Sequence, residues 1–327
     1  MDDKLGQLFI TGFEGETPSD DFRKFFISES IGGLILFEEQ CNPHNRAEGT
    51  IRKLGAESEI HPLFAVDQEG GRVCRFKGAP ADYGAASDYG KTGDLNLFIE
   101  QFNRAAHYIH SLGINLILGP VADLHLDDNN TCLEGRTFGT NPARIIPFIE
   151  SSIKISHKAG LLTCVKHFPG FGAAKIDPHK SLSRASYNYQ TFINREALTF
   201  QAALEFDSDM VMTTHLVVPG IDANPATVSK VVVDILLRDT LNFDGIAITD
   251  DLTMLGAEVM GSVGERTLKA FNAGHDLLLF GRDYRMAHEA LEYFRKAYNK
   301  GLIDEDRLKT SLERVSGIKS KLAVSAL

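Results

Sequence analysis

Residues 142–167, PARIIPFIESSIKISHKAGLLTCVKH, contain one complete unit of the pattern that decides the fold. Residues 142–159 have the apolar spacing of an amphipathic helix. Gly160 follows, and glycine commonly ends a helix in the left-handed conformation. Residues 161–167 form a near-continuous apolar run that ends in Lys166 and His167, as expected of a strand buried on both faces. A helix that leads into a buried strand is the repeating unit of a parallel α/β sheet.

The same unit recurs along the chain. Apolar runs predict eight strands, at residues 8–13, 31–37, 63–67, 114–122, 161–167, 210–215, 245–250 and 276–280. Helical patterns lie between them, at residues 21–29, 43–55, 95–112, 142–159, 190–205, 230–241 and 264–273, and two more helices follow the eighth run. This pattern predicts the α/β class and a closed (β/α)8 barrel of the TIM type. An open doubly wound sheet is the alternative, although no Gly-x-Gly-x-x-Gly follows the first run. No linker divides the chain, so we expect one barrel domain over residues 1–327.

Composition limits the class of protein. With 327 residues, 43% of them hydrophobic, the chain can bury a large core. Its net charge of −10 disfavours nucleic acid and anionic membranes as partners. No apolar run is long enough to span a membrane and no signal peptide is evident, so we expect a cytoplasmic location. Cysteines without Cys-x-x-Cys spacing predict reduced, packed thiols, at Cys41, Cys74, Cys132 and Cys164.

Titratable residues stand at the ends of five predicted strands. They are Asp67, Asp123, His125, Lys166, His167, His215, Asp250 and Asp251. Catalytic groups of a barrel gather at the carboxyl ends of its strands, so these side chains are expected to meet at one mouth. For single residues such as Asp123 or Asp251, capping of the next helix is an alternative role.

The segment KHFPGFG at residues 166–172 leads from the fifth strand into a glycine-rich loop that contains Asp177, Pro178 and His179. A carboxylate two residues from an imidazole can accept its ring N–H and favour its protonated form. We therefore expect His179, oriented by Asp177, to act as a proton donor near neutral pH.

Three chemistries fit such a mouth. Glycoside hydrolysis would use Asp250 as the anionic carboxylate and His179 as the proton donor. Schiff-base chemistry would use Lys166, although nearby carboxylates would keep its amine protonated. Metal-assisted hydrolysis would draw its ligands from a set of Asp and His side chains, but no tight metal-binding spacing supports it. That set comprises Asp123, His125, His167, His179 and His215.

Seven segments in order carry a resemblance to a known family. They are GGLILF at 32–37, AVDQEGGRV at 65–73, GRTFG at 135–139, KHFPGFG at 166–172, DPH at 177–179, TTH at 213–215 and ITDDLTM at 248–254. On these segments the chain resembles family 3 glycoside hydrolases, and among them the single-domain bacterial β-N-acetylglucosaminidases of peptidoglycan recycling. The resemblance covers most of the predicted barrel.

The resemblance implies a role for each matching residue. Asp250 would be the nucleophile, and His179 the acid/base that Asp177 orients. The terminal sugar would be bound by Asp67, Arg75, Arg136, Lys166 and His167. Either arginine could instead be a structural partner of Glu69 or Asp67.

Two residues depart from the family's usual pattern. Phe171 replaces a histidine, which is expected to alter the leaving-group side of the pocket, and Pro178 replaces a common serine, which would stiffen the loop. The resemblance implies a retaining exo-β-N-acetylglucosaminidase that acts on muropeptide-like or chito-oligosaccharide substrates without metal or cofactor. Phosphorolysis and β-glucosidase activity on the same residues remain open, as do a metal-dependent hydrolase and a non-catalytic sugar-binding barrel.

Overall fold

The computed structural model describes residues 2–174 and 182–324. Within these residues eight parallel strands form the main sheet: β1 (Phe9–Thr11), β2 (Gly33–Leu36), β3 (Leu63–Val66), β4 (Leu116–Ile117), β5 (Leu162–Phe168), β6 (Met210–Thr213), β7 (Ile246–Thr249) and β8 (Leu278–Leu279). Their order is β7-β6-β5-β4-β3-β2-β1-β8. A parallel bridge between Ile248 and Leu277 joins β7 to β8, which closes the ring. The predicted (β/α)8 barrel is confirmed.

Helices surround this ring. The longer ones are Asp20–Ser28, His44–Glu57, Leu95–Ser111, Pro142–Lys158, Ala197–Glu205, Val263–Asn272, Tyr284–Asn299 and Glu305–Val324. Two segments are π-helical, Phe192–Glu196 and Val231–Thr240. Shorter helices are Glu38–Cys41, Ala86–Thr92 and Tyr189–Thr191, and the 3-10 helices are Asp2–Leu8, Ala226–Val228 and Leu255–Met260. In the described part of the chain, two short strand pairs lie outside the barrel, Gln68–Gly70 with Val73–Cys74 and Ser183–Arg184 with Leu216–Val217.

The unit that predicted the fold forms as expected. Asn141 caps the helix Pro142–Lys158, because its side chain accepts a hydrogen bond from the backbone N–H of Ala143 at 3.0 Å. The chain then turns at Gly160, whose φ of +84° is in the left-handed region. Every residue of β5 is buried. A lysine in this strand therefore needs charged partners inside the protein.

The main difference from the prediction concerns the fourth run. Residues 114–122 were expected to form a strand, but β4 covers only Leu116–Ile117. Pro120 has no N–H to donate, and beyond it the chain keeps only an isolated parallel bridge between Val121 and Lys166. The other predicted strands and helices agree with the observed elements to within a few residues.

The carboxyl-terminal helix packs beneath the barrel. Lys319 on this helix donates a hydrogen bond to Gln7 Oε1 at 2.8 Å, and Arg307 pairs with Asp276 at 3.0 Å. All four cysteines are buried and outside any disulfide, as the sequence predicted. Over the described ranges, no helix is long and apolar enough to cross a membrane.

Candidate active site

The carboxyl ends of the strands open into a cavity of about 720 Å³. Six residues that the sequence predicted for the site line it: Asp67, Arg75, Arg136, Lys166, His167 and Asp250. They come from the ends of β3, β5 and β7 and from the loops after β3 and β4. The closed ring thus brings together residues that are far apart in the chain, as expected of a barrel mouth.

Lys166 is the centre of an ion-pair network. Its Nζ lies 2.7 Å from Asp67 Oδ1 and 2.7 Å from Glu69 Oε1. The side chains of Lys166 and Glu69 are only 2% and 3% exposed, so water contributes little to their solvation. An amine held between two carboxylates is a cationic hydrogen-bond donor and not a Schiff-base nucleophile.

The two arginines of the cavity also pair with these carboxylates. Arg136 donates two hydrogen bonds to Glu69, from Nε at 2.7 Å and from NH2 at 2.8 Å. Arg75 donates to Asp67 Oδ2 at 3.1 Å. A two-pronged contact fixes the guanidinium plane as well as its charge. The alternative expected from the sequence, that these arginines pair with Glu69 and Asp67, is therefore present in the structure. Both arginine side chains also line the cavity.

The pKa values of Asp67, Glu69 and Lys166 shift in the direction that keeps each of these groups charged. Burial alone would raise the pKa of Asp67, but the charges of Lys166 and Arg75 outweigh burial and lower it. Burial acts likewise on Glu69, and Arg136 and Lys166 hold its pKa well below the usual range. Burial would lower the pKa of Lys166, yet the two carboxylates raise it. The cavity wall is thus a set of fixed charges with little freedom to reorganise.

Asp250 lies on another part of the wall, directly after β7. Its Oδ2 accepts a hydrogen bond from Thr214 Oγ1 at 3.3 Å, and its Oδ1 accepts one from the backbone N–H of Asp251 at 2.8 Å. Both carboxylate oxygens therefore have donors that set their orientation. A carboxylate held in this way at a cavity wall can act as a nucleophile or as an electrostatic stabiliser.

Asp251, the next residue, has a different role. Its Oδ1 accepts hydrogen bonds from the backbone N–H and the hydroxyl of Thr253 and from the N–H of Gly281, at 2.7–2.8 Å. A Cβ on Gly281 would lie 2.2 Å from Asp251 Oδ2, so only glycine allows this approach. Burial raises the pKa of Asp251. These contacts connect the loop after β7 to the loop after β8. Asp251 does not cap the next helix, Leu255–Met260, because Met254 is at the N-cap position of that helix.

His167 is fixed from behind by Asp123. Its Nδ1 and backbone N–H lie 2.7 Å and 3.1 Å from Asp123 Oδ2, and its Nε2 lies 3.3 Å from Arg136 NH2. The register of β5 against β6 shifts between Lys166 and Phe168, and such an irregularity re-aims side chains. Lys166 and His167 both line the cavity, although consecutive residues of a regular strand face opposite sides.

Two other residues expected at the barrel mouth, His125 and His215, do not line this cavity. His125 lines a separate cavity, together with Thr137 and Arg144. His215 is buried between the hydroxyl of Thr227 and the carbonyl of Asp251, at 2.8 Å and 2.9 Å. Over residues 2–174 and 182–324, no group of three or more His, Cys, Asp or Glu side chains could hold a metal ion. The proposed acid/base His179 and its partner Asp177, together with Pro178, lie outside the described residues.

Phe171, which was expected on the leaving-group side of the pocket, is 2% exposed and lines the cavity. Several other lining residues were not predicted from the sequence. Residues not singled out before include Glu14, Phe37, Arg72, Thr214, Arg282 and Met286. Arg282 stacks on Phe37 at 4.5 Å from the ring centre. Phe37, Thr214 and Arg282 lie at or just after a strand end, and Phe37 and Thr214 also belong to the segments GGLILF and TTH that carry the resemblance.

These features define a (β/α)8-barrel enzyme with a polar, carboxylate-bearing pocket, the class that includes barrel glycoside hydrolases. A family model described as glycosyl hydrolase family 3 N terminal domain matches residues 1–318. The chain belongs to glycosyl hydrolase family 3.

Individual relatives agree with this assignment. A beta-hexosaminidase from Photobacterium profundum is 32% identical, over 88% of this chain and 85% of the relative. Beta-hexosaminidase A from Pseudoalteromonas piscicida is 28% identical over 98% of this chain. A family 3 beta-N-acetylglucosaminidase from Paenibacillus sp. superimposes with a TM-score of 0.94 and 29% identity over 99% of this chain. The chain spans 61% and 63% of the lengths of the last two proteins, less than two thirds of each.

Proposed function

We propose that this chain is a retaining exo-β-N-acetylglucosaminidase, in which Asp250 attacks the anomeric carbon of a terminal N-acetylglucosamine. The observation that carries the proposal is the position of Asp250 on the cavity wall, with Thr214 and the N–H of Asp251 orienting its two oxygens. The names of the relatives, beta-hexosaminidase and beta-N-acetylglucosaminidase, support the choice of a 2-acetamido sugar.

The proposed reaction has two steps. In the first, a bond forms between the anomeric carbon and an Asp250 oxygen while the glycosidic bond breaks, and His179 gives its proton to the leaving oxygen. In the second, His179 takes a proton from water, which displaces Asp250 and releases the sugar with net retention. The roles of His179 and Asp177 follow from the resemblance to the family.

The ion-pair network supports the binding part of the proposal. Asp67 can accept protons from sugar hydroxyls, while Arg136 and Lys166 are charge-assisted donors. Because their mutual pairs already fix these side chains, little conformational entropy remains to be lost when a sugar binds. We infer a muropeptide-like or chito-oligosaccharide substrate, one catalytic barrel domain over residues 1–327, and a cytoplasmic location.

Hydrolysis of aryl substrates tests the proposal. Wild type and Asp250→Asn would be compared on aryl β-N-acetylglucosaminide and aryl β-glucoside, with and without inorganic phosphate. Cleavage of the acetamido substrate by wild type alone, with free sugar as the product, supports it. Faster cleavage of the glucoside, or a sugar 1-phosphate formed in the presence of phosphate, would replace it by a glucosidase or a phosphorylase.

The acid role of His179 has a separate test. His179→Ala is expected to slow substrates with poor leaving groups far more than activated aryl glycosides, because only the former need a proton in the transition state. Equal losses on both kinds of substrate would remove His179 from the mechanism.

A further inference from the structure

Asp123 is a buried carboxylate behind the sugar pocket. Its side chain is 0% exposed and does not line the cavity. Three N–H groups point at it: the backbone N–H of Phe171 lies 2.6 Å from Oδ1, and the backbone N–H and Nδ1 of His167 lie 3.1 Å and 2.7 Å from Oδ2. A buried carboxylate is stable only with such donors, so its contacts are specific constraints on its neighbours.

These contacts determine which nitrogen of His167 carries the proton. A carboxylate only accepts hydrogen bonds, so Nδ1 must be the donor to Asp123. On the other side of the ring, Nε2 lies 3.3 Å from Arg136 NH2. A guanidinium only donates, so Nε2 must present its lone pair. Both partners of the ring therefore require the same neutral tautomer.

The ring is also part of a longer connection. Arg136, which donates toward His167, is held in place by its two hydrogen bonds to Glu69. Glu69 in turn contacts Lys166 at 2.7 Å, and Lys166 contacts Asp67. A continuous polar chain thus runs from Asp123 through His167 to the acceptor carboxylate of the pocket. Networks of this kind orient the groups that touch a ligand.

We propose that Asp123 is a positioning residue, which fixes His167 as the Nδ1–H tautomer, so that Nε2 accepts from Arg136 and helps to hold its guanidinium at the wall of the sugar pocket. The contact between Arg136 and the sugar rests on the proposed function, whereas the tautomer does not. With the proton on Nε2 instead, the ring would present a donor toward Arg136 and could no longer accept from it.

Asp123→Asn is the informative variant, because it keeps the shape and removes one acceptor. If the amide oxygen faces Phe171, the amide NH2 faces two N–H groups of His167 and favours the proton on Nε2. If the amide is turned over, its NH2 faces the N–H of Phe171 instead. Either orientation leaves buried donors without acceptors, and the first inverts the tautomer, which is how an Asp-to-Asn change behind a catalytic histidine acts elsewhere.

The test is a nitrogen-15 spectrum of protein labelled in its histidines, with the His167 signals assigned by their loss in His167→Gln. In wild type we expect a protonated Nδ1 and an unprotonated Nε2 for His167. In Asp123→Asn we expect the proton to move to Nε2 or to be shared between the two ring nitrogens. We also expect kcat/KM for the acetamido substrate to be about 10–100-fold lower.

Asp209→Asn is the matched control, since it also changes a buried carboxylate that pairs with a histidine. Asp209 lies 2.9 Å from His157 Nε2 and accepts from the N–H of Thr163, at the opposite end of the barrel. We expect it to lower stability but to leave the His167 pattern unchanged and kcat/KM within about twofold.

Two results would overturn the proposal: a proton on Nε2 of His167 in wild type, or an Asp123→Asn variant in which both the ring pattern and kcat/KM are unchanged. The wild-type spectrum by itself tests the tautomer of His167, so the proposal can be tested even if Asp123→Asn does not fold. Loss of the proposed function is a separate outcome, because an inactive wild type that shows the expected tautomer refutes the glycosidase and leaves the Asp123–His167 relationship intact.

Discussion

The Nζ of Lys166 lies 2.7 Å from Oδ1 of Asp67, although 99 residues separate them in the chain. One residue is at the end of β5 and the other directly follows β3. The contact exists because the ring closes and the carboxyl ends of its strands meet. The contact also places the positive charge of Lys166 inside the protein. The ion-pair network therefore stabilises the fold in addition to lining the candidate active site.

Lys166→Met is expected to destabilise the fold strongly. The change leaves Asp67 and Glu69 close together without their shared cation, and loss of one member of a buried ionic group lowers stability by roughly 3–5 kcal/mol. The free energy of unfolding from urea titration measures the effect. Lys154→Met is the control, because its pair with Glu150 is solvent-exposed and contributes less than about 1 kcal/mol. Similar losses in the two variants would contradict the structural role.

The network also predicts how stability depends on pH. The pKa values of Asp67 and Glu69 are lower in the folded protein than in the unfolded chain, so their contribution is complete above the unfolded values and disappears as pH falls through the folded ones. Unfolding free energies measured from neutral pH down into the acid range should therefore fall more steeply in wild type than in Glu69→Gln. The difference is expected to be about 2 kcal/mol over the range. Parallel curves would show that Glu69 is not held in its charged form.

The adjacent residues Asp250 and Asp251 are expected to respond in opposite ways to the same change. Asp250→Asn should lower kcat by roughly 10⁴-fold or more with little change in stability, because an amide is not a nucleophile. Asp251→Asn retains an acceptor oxygen toward Thr253 and Gly281, so it should keep kcat within about tenfold while lowering stability by about 1–2 kcal/mol. Kinetics and thermal unfolding on both variants give the comparison. If Asp251→Asn were the inactive one, the nucleophile would be misassigned.

Removal of metal ions is expected to leave activity unchanged. The proposed steps use only carboxylate and imidazole groups, and every proton moves through His179. Dialysis of wild type against a chelator, followed by assay of the acetamido substrate with and without added zinc, gives the answer. A loss of activity that zinc restores would favour the metal-dependent alternative.

The barrel was predictable because it follows from the strand periodicity, and so was the place of the strand-end residues Asp67, Lys166, His167 and Asp250 in its pocket. Arg75 and Arg136 were expected there only from the family resemblance, and the strand-end residues Asp123, His125 and His215 do not line the cavity. A run of buried residues ending in Lys166 and His167 implies a strand end, and a closed ring places all strand ends at one mouth. The overlong fourth strand was avoidable, since Pro120 within residues 114–122 lacks the N–H that a strand needs.

Pairing inside the pocket was not predictable in the same way. The contact between Glu69 and Arg136 spans 67 residues, and that between Asp123 and His167 spans 44. Which carboxylate meets which cation depends on side-chain directions at the strand ends, including the register shift beside His167, and no periodicity in the sequence encodes these. Asp123 was recognised as a strand-end residue or a cap, but its place behind His167 required the structure.

The most direct test of the central claim is detection of the covalent glycosyl-enzyme. Wild type would be incubated with a 5-fluoro N-acetylglucosaminyl fluoride, which forms such an intermediate quickly and releases it slowly, and then digested and analysed by mass spectrometry. We predict one sugar adduct, on the peptide that contains Asp250, and none in Asp250→Asn. Turnover of substrate without any adduct, or an adduct on another residue, would contradict the account.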